Sequence, residues 1–279
     1  MKFYFTSFIA IFLFSFNIYA LKISNHLSPE NKNRENRPHT RYIILHTTEG
    51  ADKGSLRKVY KNGEANYFVG SSGDVYRIVD KDKIALHAGV SMWNGRREID
   101  NYAIGIEVVG YHDDEITFWQ YRSLKELLNQ LQTIYRIPDD KVLTHSMIAY
   151  GKPNRWHRHA HRGRKRCGML FALRSVRKKL GLNSQPLYDP DIRYGRLKQG
   201  DPSLAKVLYG TAREQRKTFL RFKNKRFKII DKGLSAWDIA LDDYNKSNTL
   251  YIFPNGKRAY GDEINNWKLI PAGTRVKIN

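Results

Sequence analysis

The sequence predicts an α/β or α+β domain over roughly residues 40–180, and three observations carry that prediction. Short apolar runs recur that end in titratable residues, one longer stretch has apolar residues at helical spacing, and turn residues separate the two kinds. In order, "RYIILH" reads as a buried strand, Tyr42 to Leu45, that delivers His46 at its end. "ANYFVGSSGDVYRIV" reads as two strands joined at Ser71, Ser72 and Gly73. "YAIGIEVVG" alternates, with Ile104, Ile106 and Val108 on one face and Ala103, Gly105, Glu107 and Val109 on the other. Glu107 thus stands beside very small side chains, which is expected to leave space above the sheet next to a carboxylate. From Thr117 to Tyr135, the residues Leu124, Leu127, Leu128, Leu131, Ile134 and Tyr135 form one apolar stripe of a core helix. Pro138 closes the turn, and "KVLTH" gives another short strand that ends in His145.

The flanks differ in character. Residues 1–20 place Lys2 before an apolar run from Phe3 to Phe16 and end in Ala20, the layout of a secretory signal cleaved after Ala20. The run is shorter than the roughly 20 apolar residues of a membrane-spanning helix, so no stable span is expected after cleavage. With no cysteine at the cleavage point, the expected product is a periplasmic or secreted protein and not a lipoprotein. Residues 21–40 are polar with two prolines and read as an extended lead-in, and 181–226 mix Gly, Pro and charge and read as a linker with at most one helix. A small α+β unit is expected over 227–279: a strand at "FKII", a helix-start signal at Ser235 and Asp238, a helical face of Trp237, Ala240, Leu241 and Tyr244, and a closing strand in "LIPAGTRVKIN".

A hydrophobic content of 41% is that of a packed protein, which excludes disorder throughout. The formal net charge of +22 calls for a polyanionic partner. Export removes nucleic acid from the candidates and leaves anionic envelope polymers. The chain has one cysteine, so no intramolecular disulfide can form.

His46 and His145 both follow predicted strands and so can project from the same end of a sheet. A catalytic zinc site needs three protein ligands and an open position. Cys167, in "RGRKRCG", is the natural third, since a thiolate binds zinc well and Arg164, Lys165 and Arg166 around it should lower its pKa.

These residues lie in three segments, "HTTEG" (46–50), "LHAGVSMWNGRREIDNYAIGIEVVG" (86–110) and "VLTHSMIAYGKPN" followed by "HRGRKRCG" (142–168). Together they resemble, in order, the signature segments of the type 2 N-acetylmuramoyl-L-alanine amidases, over about residues 41–175. The resemblance implies a mixed central sheet flanked by helices, in a catalytic domain over 41–180. It also implies a zinc ion held by His46, His145 and Cys167, with Glu107 as the catalytic carboxylate and Lys165 as the oxyanion's partner. His87, Trp93 and Asn94 are expected at the substrate, His87 either touching it or supporting the metal ligands. The implied reaction is hydrolysis of the bond between N-acetylmuramic acid and L-alanine in peptidoglycan or muropeptides, by a monomer. The third ligand stays open at this point: the proline expected after it is missing, and "RWHRHAHR" offers His157, His159 and His161 instead. The C-terminal unit resembles a LysM glycan-binding module, with an SH3-like β domain as the alternative. The stretch between Asn245 and Trp267 leaves its second helix open.

Overall fold

The computed structural model describes residues 21–154, 157–224, 227–230, 235–240, 244–246 and 249–278; the apolar leader at 1–20 lies outside them. The lead-in stretch is held by pairing. Strand β1 (Ile23–Asn25) joins a sheet, and a 3-10 turn at Pro29–Asn33 is capped by the Ser28 hydroxyl. The guanidinium of buried Arg37 donates to the carbonyls of Lys81, Lys83 and Ala103, which fixes this stretch to the domain.

Strand β2 (Tyr42–Thr47) is buried along its whole length, as a strand covered on both faces must be. Helix α1 (Asp52–Asn62) follows and ends at Gly63 in the left-handed conformation. The expected hairpin is β3 (Tyr67–Val69) and β4 (Val75–Arg77), closed by Gly70 N–H to Asp74 C=O at 2.9 Å. A small ribbon, β5 (Met92–Trp93) and β6 (Arg96–Arg97), precedes β7 (Ala103–Val108). Then come α2 (Phe118–Tyr135), β8 (Val142–Thr144) and the short α3 (His145–Ile148).

Among the described residues the main sheet has six strands in the order β1-β4-β3-β7-β2-β8. Strands β3, β7, β2 and β8 are mutually parallel, and β4 runs against β3. The sheet is therefore mixed, as expected, with helices on both faces. Ile104, Ile106 and Val108 share the main core with Leu124, Leu127, Leu128 and Leu131 of α2. On the other face Phe68, Ile78 and Val109 pack with Val59 of α1. Thr117 and Gln120 form a reciprocal capping box that starts α2. Its stripe is shorter than expected: Ile134, in the last turn of the helix, is 55% exposed.

The stretch expected as a linker is ordered into elements. After β9 (His161–Arg162), α4 (Arg174–Lys179) and α5 (Pro190–Arg193), strand β10 (Lys198–Gln199) pairs in parallel with β9. Helices α6 (Pro202–Tyr209) and α7 (Ala212–Asn224) send Leu204, Val207, Leu208 and Phe219 into the main core. Buried Arg162 holds Asp189 at 2.5 Å and Asp191 at 3.0 Å, so the charge-rich composition that reads as solvated chain is partly internal pairing.

The C-terminal unit comprises β11 (Phe227–Ile229), α8 (Ala236–Ala240), β12 (Thr249–Ile252), β13 (Arg258–Tyr260) and β14 (Arg275–Ile278). Its strands form an antiparallel sheet in the order β11-β14-β12-β13, over a small core of Ile230, Ala236, Ile239, Ala240, Tyr251 and Val276. The stretch that left a second helix open holds the β12–β13 hairpin and two 3-10 turns. The buried face of α8 is Ala236, Ile239 and Ala240, while Trp237 is exposed; Leu241 of the expected face lies outside the described residues. This unit meets the first one through polar pairs. Buried Lys277 binds Asp113, Lys223 and Arg258 both reach Asp114, and Tyr260 stacks on Tyr111. No helix among the described residues is long and apolar enough to cross a membrane.

Candidate active site

Sheet register assembles the site. Parallel pairing sets His46 of β2 opposite Glu107 of β7, on the same face as Phe68 and therefore on the α1 side. Leu45 is opposite Thr144, so His145, the next residue on the β8 side, emerges level with His46 at the carboxyl ends of the parallel strands. The third donor comes from the turn after β9. Ser146 N–H donates to the Cys167 carbonyl at 3.0 Å, Gly168 N–H donates to the Thr47 hydroxyl at 2.9 Å, and Thr47 N–H lies 3.4 Å from Cys167 Sγ. Gly168 has φ 73°, and a Cβ there would lie 2.3 Å from the Leu45 carbonyl oxygen, so only glycine lets this turn approach β2.

Ligand atoms of His46, His145 and Cys167 all lie within 4.8 Å of one another, and among the described residues no other cluster of this kind occurs. His46 Nδ1 faces both Cys167 Sγ at 3.7 Å and Glu107 Oε1 at 3.6 Å, while its Nε2 is 3.0 Å from His87 Nδ1. For Nδ1 to present a lone pair, the His46 proton must sit on Nε2 and point at His87. His87 Nε2 in turn lies 3.6 Å from Asp100 Oδ1, which also accepts from the backbone N–H of His87 and Ala88. The His87 ring occupies the volume above Gly105, where a Cβ would come within 2.4 Å of it. Directly over Gly105 the space is taken by an imidazole that backs His46, while the space expected beside Glu107 is present as a cleft. His87 backs His46 and also lines the cleft over the cluster.

Burial shapes the titration of these groups. It pushes the Glu107 carboxyl up to about 8, with Lys58 opposing and Glu64 and Glu49 adding to the shift. Glu107 Oε2 is buried with no hydrogen-bond partner among the described residues. Desolvation also holds His46 well below its usual value, helped by His145 and His87, and brings His145 down to about 3. The Cys167 thiol is pushed well up by burial and by Glu107 and Glu49. This reverses the sequence expectation for Cys167: Arg164 and Lys165 are exposed, and burial together with Glu107 and Glu49 raises the thiol instead.

A cleft of about 550 Å³ opens over the cluster, lined by Glu107, Lys165 and Arg164 together with Lys58, Glu64 and Leu86. Trp93 is buried in the main core, and neither it nor Asn94 lines the cleft; Asn94 instead faces Arg196. The ribbon that carries them packs the Trp93 ring inward and leaves Asn94 exposed. His157, His159 and His161 also stay out of the cleft: His161 is buried, its ring stacks on His157, and its Nδ1 faces the His159 carbonyl. Sequence reasoning passed over Thr47 and Glu49, which bracket the cluster. Their position within three residues of His46 was the available signal.

Residues 35–167 match the Amidase_2 family, N-acetylmuramoyl-L-alanine amidase. The 1,6-anhydro-N-acetylmuramyl-L-alanine amidase AmpD of Haemophilus influenzae is 35% identical over 86 residues, covering 30% of this chain and 47% of the relative. AmpD of Escherichia coli K12 is 34% identical over 71 residues, 25% of this chain and 39% of the relative. The chain thus spans less than half the length of these curated relatives. Among solved structures, E. coli AmiD in complex with anhydro-N-acetylmuramic acid-L-Ala-D-gamma-Glu-L-Lys is 21% identical with a TM-score of 0.43, covering 53% of this chain and 60% of that one. AmpDh3 of Pseudomonas aeruginosa is 22% identical with a TM-score of 0.42, covering 58% and 68%.

Proposed function

We propose that the protein is a zinc-dependent N-acetylmuramoyl-L-alanine amidase that hydrolyses the amide between N-acetylmuramic acid and L-alanine of peptidoglycan. One observation carries the reading: two histidines and a thiol converge within 4.8 Å beside a carboxylate whose Oε2 has no hydrogen-bond partner among the described residues. The donor set fits zinc. Tetrahedral zinc with ordinary Zn–N and Zn–S lengths separates its nitrogen and sulfur ligands by about 3.6 Å, and His46 Nδ1 is 3.7 Å from Cys167 Sγ. Both histidines are held neutral by burial, as ligands must be.

Bound there, zinc supplies Lewis acidity for the scissile carbonyl and the attacking water at neutral pH. The chain's own residues do the rest. Glu107, in an environment that lets its carboxyl hold a proton near neutrality, accepts the proton of the attacking water and passes it to the leaving amine of L-alanine. Lys165, on the cleft wall, faces the developing oxyanion, a preorganised charge worth about 3 kcal/mol of barrier. His87 keeps the His46 proton on Nε2 and so keeps Nδ1 free to bind.

The surrounding chain fits the same reading. Residues 1–20 act as an export signal to the periplasm or exterior, and the +22 charge draws the protein to anionic envelope polymers. Residues from about 21 to 224 serve as the catalytic unit. The C-terminal β unit serves as a wall-binding module, with exposed Trp237 offering a stacking surface for glycan.

Purified cell wall is the test substrate. New L-alanine amino termini and intact glycan by mass spectrometry, lost with chelator and restored by zinc, are the expected result; no cleavage under any metal condition overturns the enzyme reading. Cys167→Ser should lose stoichiometric zinc, measured by elemental analysis, and Cys167→Asp should keep part of it because a carboxylate restores charge and coordination. Full zinc in Cys167→Ala would remove Cys167 from the ligand set.

A further inference from the structure

We propose that Glu49 is a positioning residue: braced by His112, it orients the Thr47 hydroxyl that anchors the Cys167–Gly168 turn. The proposal deepens the reading of Cys167 as a zinc ligand and rests on it.

Glu49 has φ 55°, a left-handed conformation that a non-glycine residue rarely adopts and that persists only where surroundings over-determine it. What that conformation achieves is visible in its carboxylate. Oε1 accepts from the Thr47 hydroxyl at 2.6 Å and from the His112 backbone N–H at 3.0 Å, and Oε2 meets His112 Nδ1 at 2.7 Å. An ionised carboxylate only accepts, so the one hydroxyl hydrogen of Thr47 is committed to Glu49. The hydroxyl lone pairs are then left for Gly168 N–H, 2.9 Å away. Thr47 meets the sulfur as well, its N–H and carbonyl each lying 3.4 Å from Cys167 Sγ. Glu49 therefore decides the direction of a hydroxyl, and the hydroxyl decides where the turn carrying the third donor sits.

The brace continues beyond the cleft. His112 precedes Asp113 and Asp114, which receive Lys277, Arg258 and Lys223. The footing of the C-terminal unit and the setting of Cys167 thus share one loop.

The test uses the full-length protein with Glu49→Ala, Thr47→Val and Thr47→Ser, and two readouts: zinc affinity by chelator competition, and the rate at which Cys167 of the zinc-free protein reacts with a thiol reagent. Loss of a group that orients a ligand typically weakens metal binding about 10–100-fold, and Glu49→Ala and Thr47→Val should fall in that range. Both should also speed the thiol reaction by about tenfold, because a released sulfur is more accessible. Thr47→Ser keeps the hydroxyl and should stay within about threefold of the parent on both counts. If Glu49→Ala does not fold, Glu49→Asp, whose oxygens are withdrawn by one methylene, takes its place. Zinc affinity and thiol rate unchanged in Glu49→Ala and Thr47→Val would overturn the proposal while leaving the zinc reading intact. Parent-like zinc binding by Cys167→Ala would instead overturn the zinc reading, and the thiol rate would still judge the role of Glu49.

Discussion

Gly105 is the residue on which the geometry of the cluster turns, because its missing side chain admits the His87 ring against β7. Gly105→Ala would put a methyl group within 2.4 Å of that ring. It should cost about 1–3 kcal/mol of stability as an overpacked site, and by displacing His87 from His46 it should lower zinc affinity as well. Denaturant unfolding and chelator competition on the same sample check both effects. Glu107 carries a pH signature in the zinc-free protein. Its folded pKa of about 8 exceeds its ordinary 4.5, so the native state holds the extra proton. That contribution to stability is full below pH 4.5 and is lost as the pH rises through about 8. His46 and His145, shifted the other way, contribute above pH 6.5 and lose that contribution as the pH falls. Glu107→Gln should flatten the alkaline limb and leave the acid limb, as measured by unfolding midpoints across pH. His46, Glu107, His145 and Cys167 were legible in the sequence because each follows a strand or stands in a recognisable segment. The backing role of His87 was legible only as one of two alternatives, since it depends on what fills the space over a glycine in another strand.

At the scale of elements, helix α2 carries the main core. Leu128 is fully buried, and Leu128→Ala should cost about 2–5 kcal/mol through lost contacts and a cavity. Thr117→Ala removes the cap and should cost about 1 kcal/mol, so thermal melts should rank Leu128→Ala well below Thr117→Ala; the reverse order would mean that the stripe does not hold the sheet. The β3–β4 hairpin and α2 were readable from turn chemistry and periodicity, which are local. Helices α6 and α7 were hidden in a stretch rich in charge and turn residues. Their apolar faces acquire meaning only against the core that receives Leu204 and Phe219, and the internal partners of Arg162 cannot be told from solvated charges in one dimension.

Across the whole molecule, the buried pair of Lys277 and Asp113 joins the C-terminal sheet to the loop that follows β7. Lys277→Met leaves Asp113 without its ammonium, and losing one member of a buried pair costs about 3–5 kcal/mol. The double variant with Asp113→Asn should recover part of that loss, and denaturant titrations of the single and double variants close the comparison. The sequence by itself determined the α/β or α+β class, the strand ends that bear His46 and His145, the alternating strand that bears Glu107, and the chemistry available to a lone thiol among cations. Only the tertiary structure decided that the thiol is buried against Thr47 and His46, that Trp93 goes into the core, and that Glu49 and Thr47 grip the third donor. The physical reason is that residue type and spacing set which groups a chain can offer. Register, burial and the clearance over Gly105 and Gly168 set which of them meet.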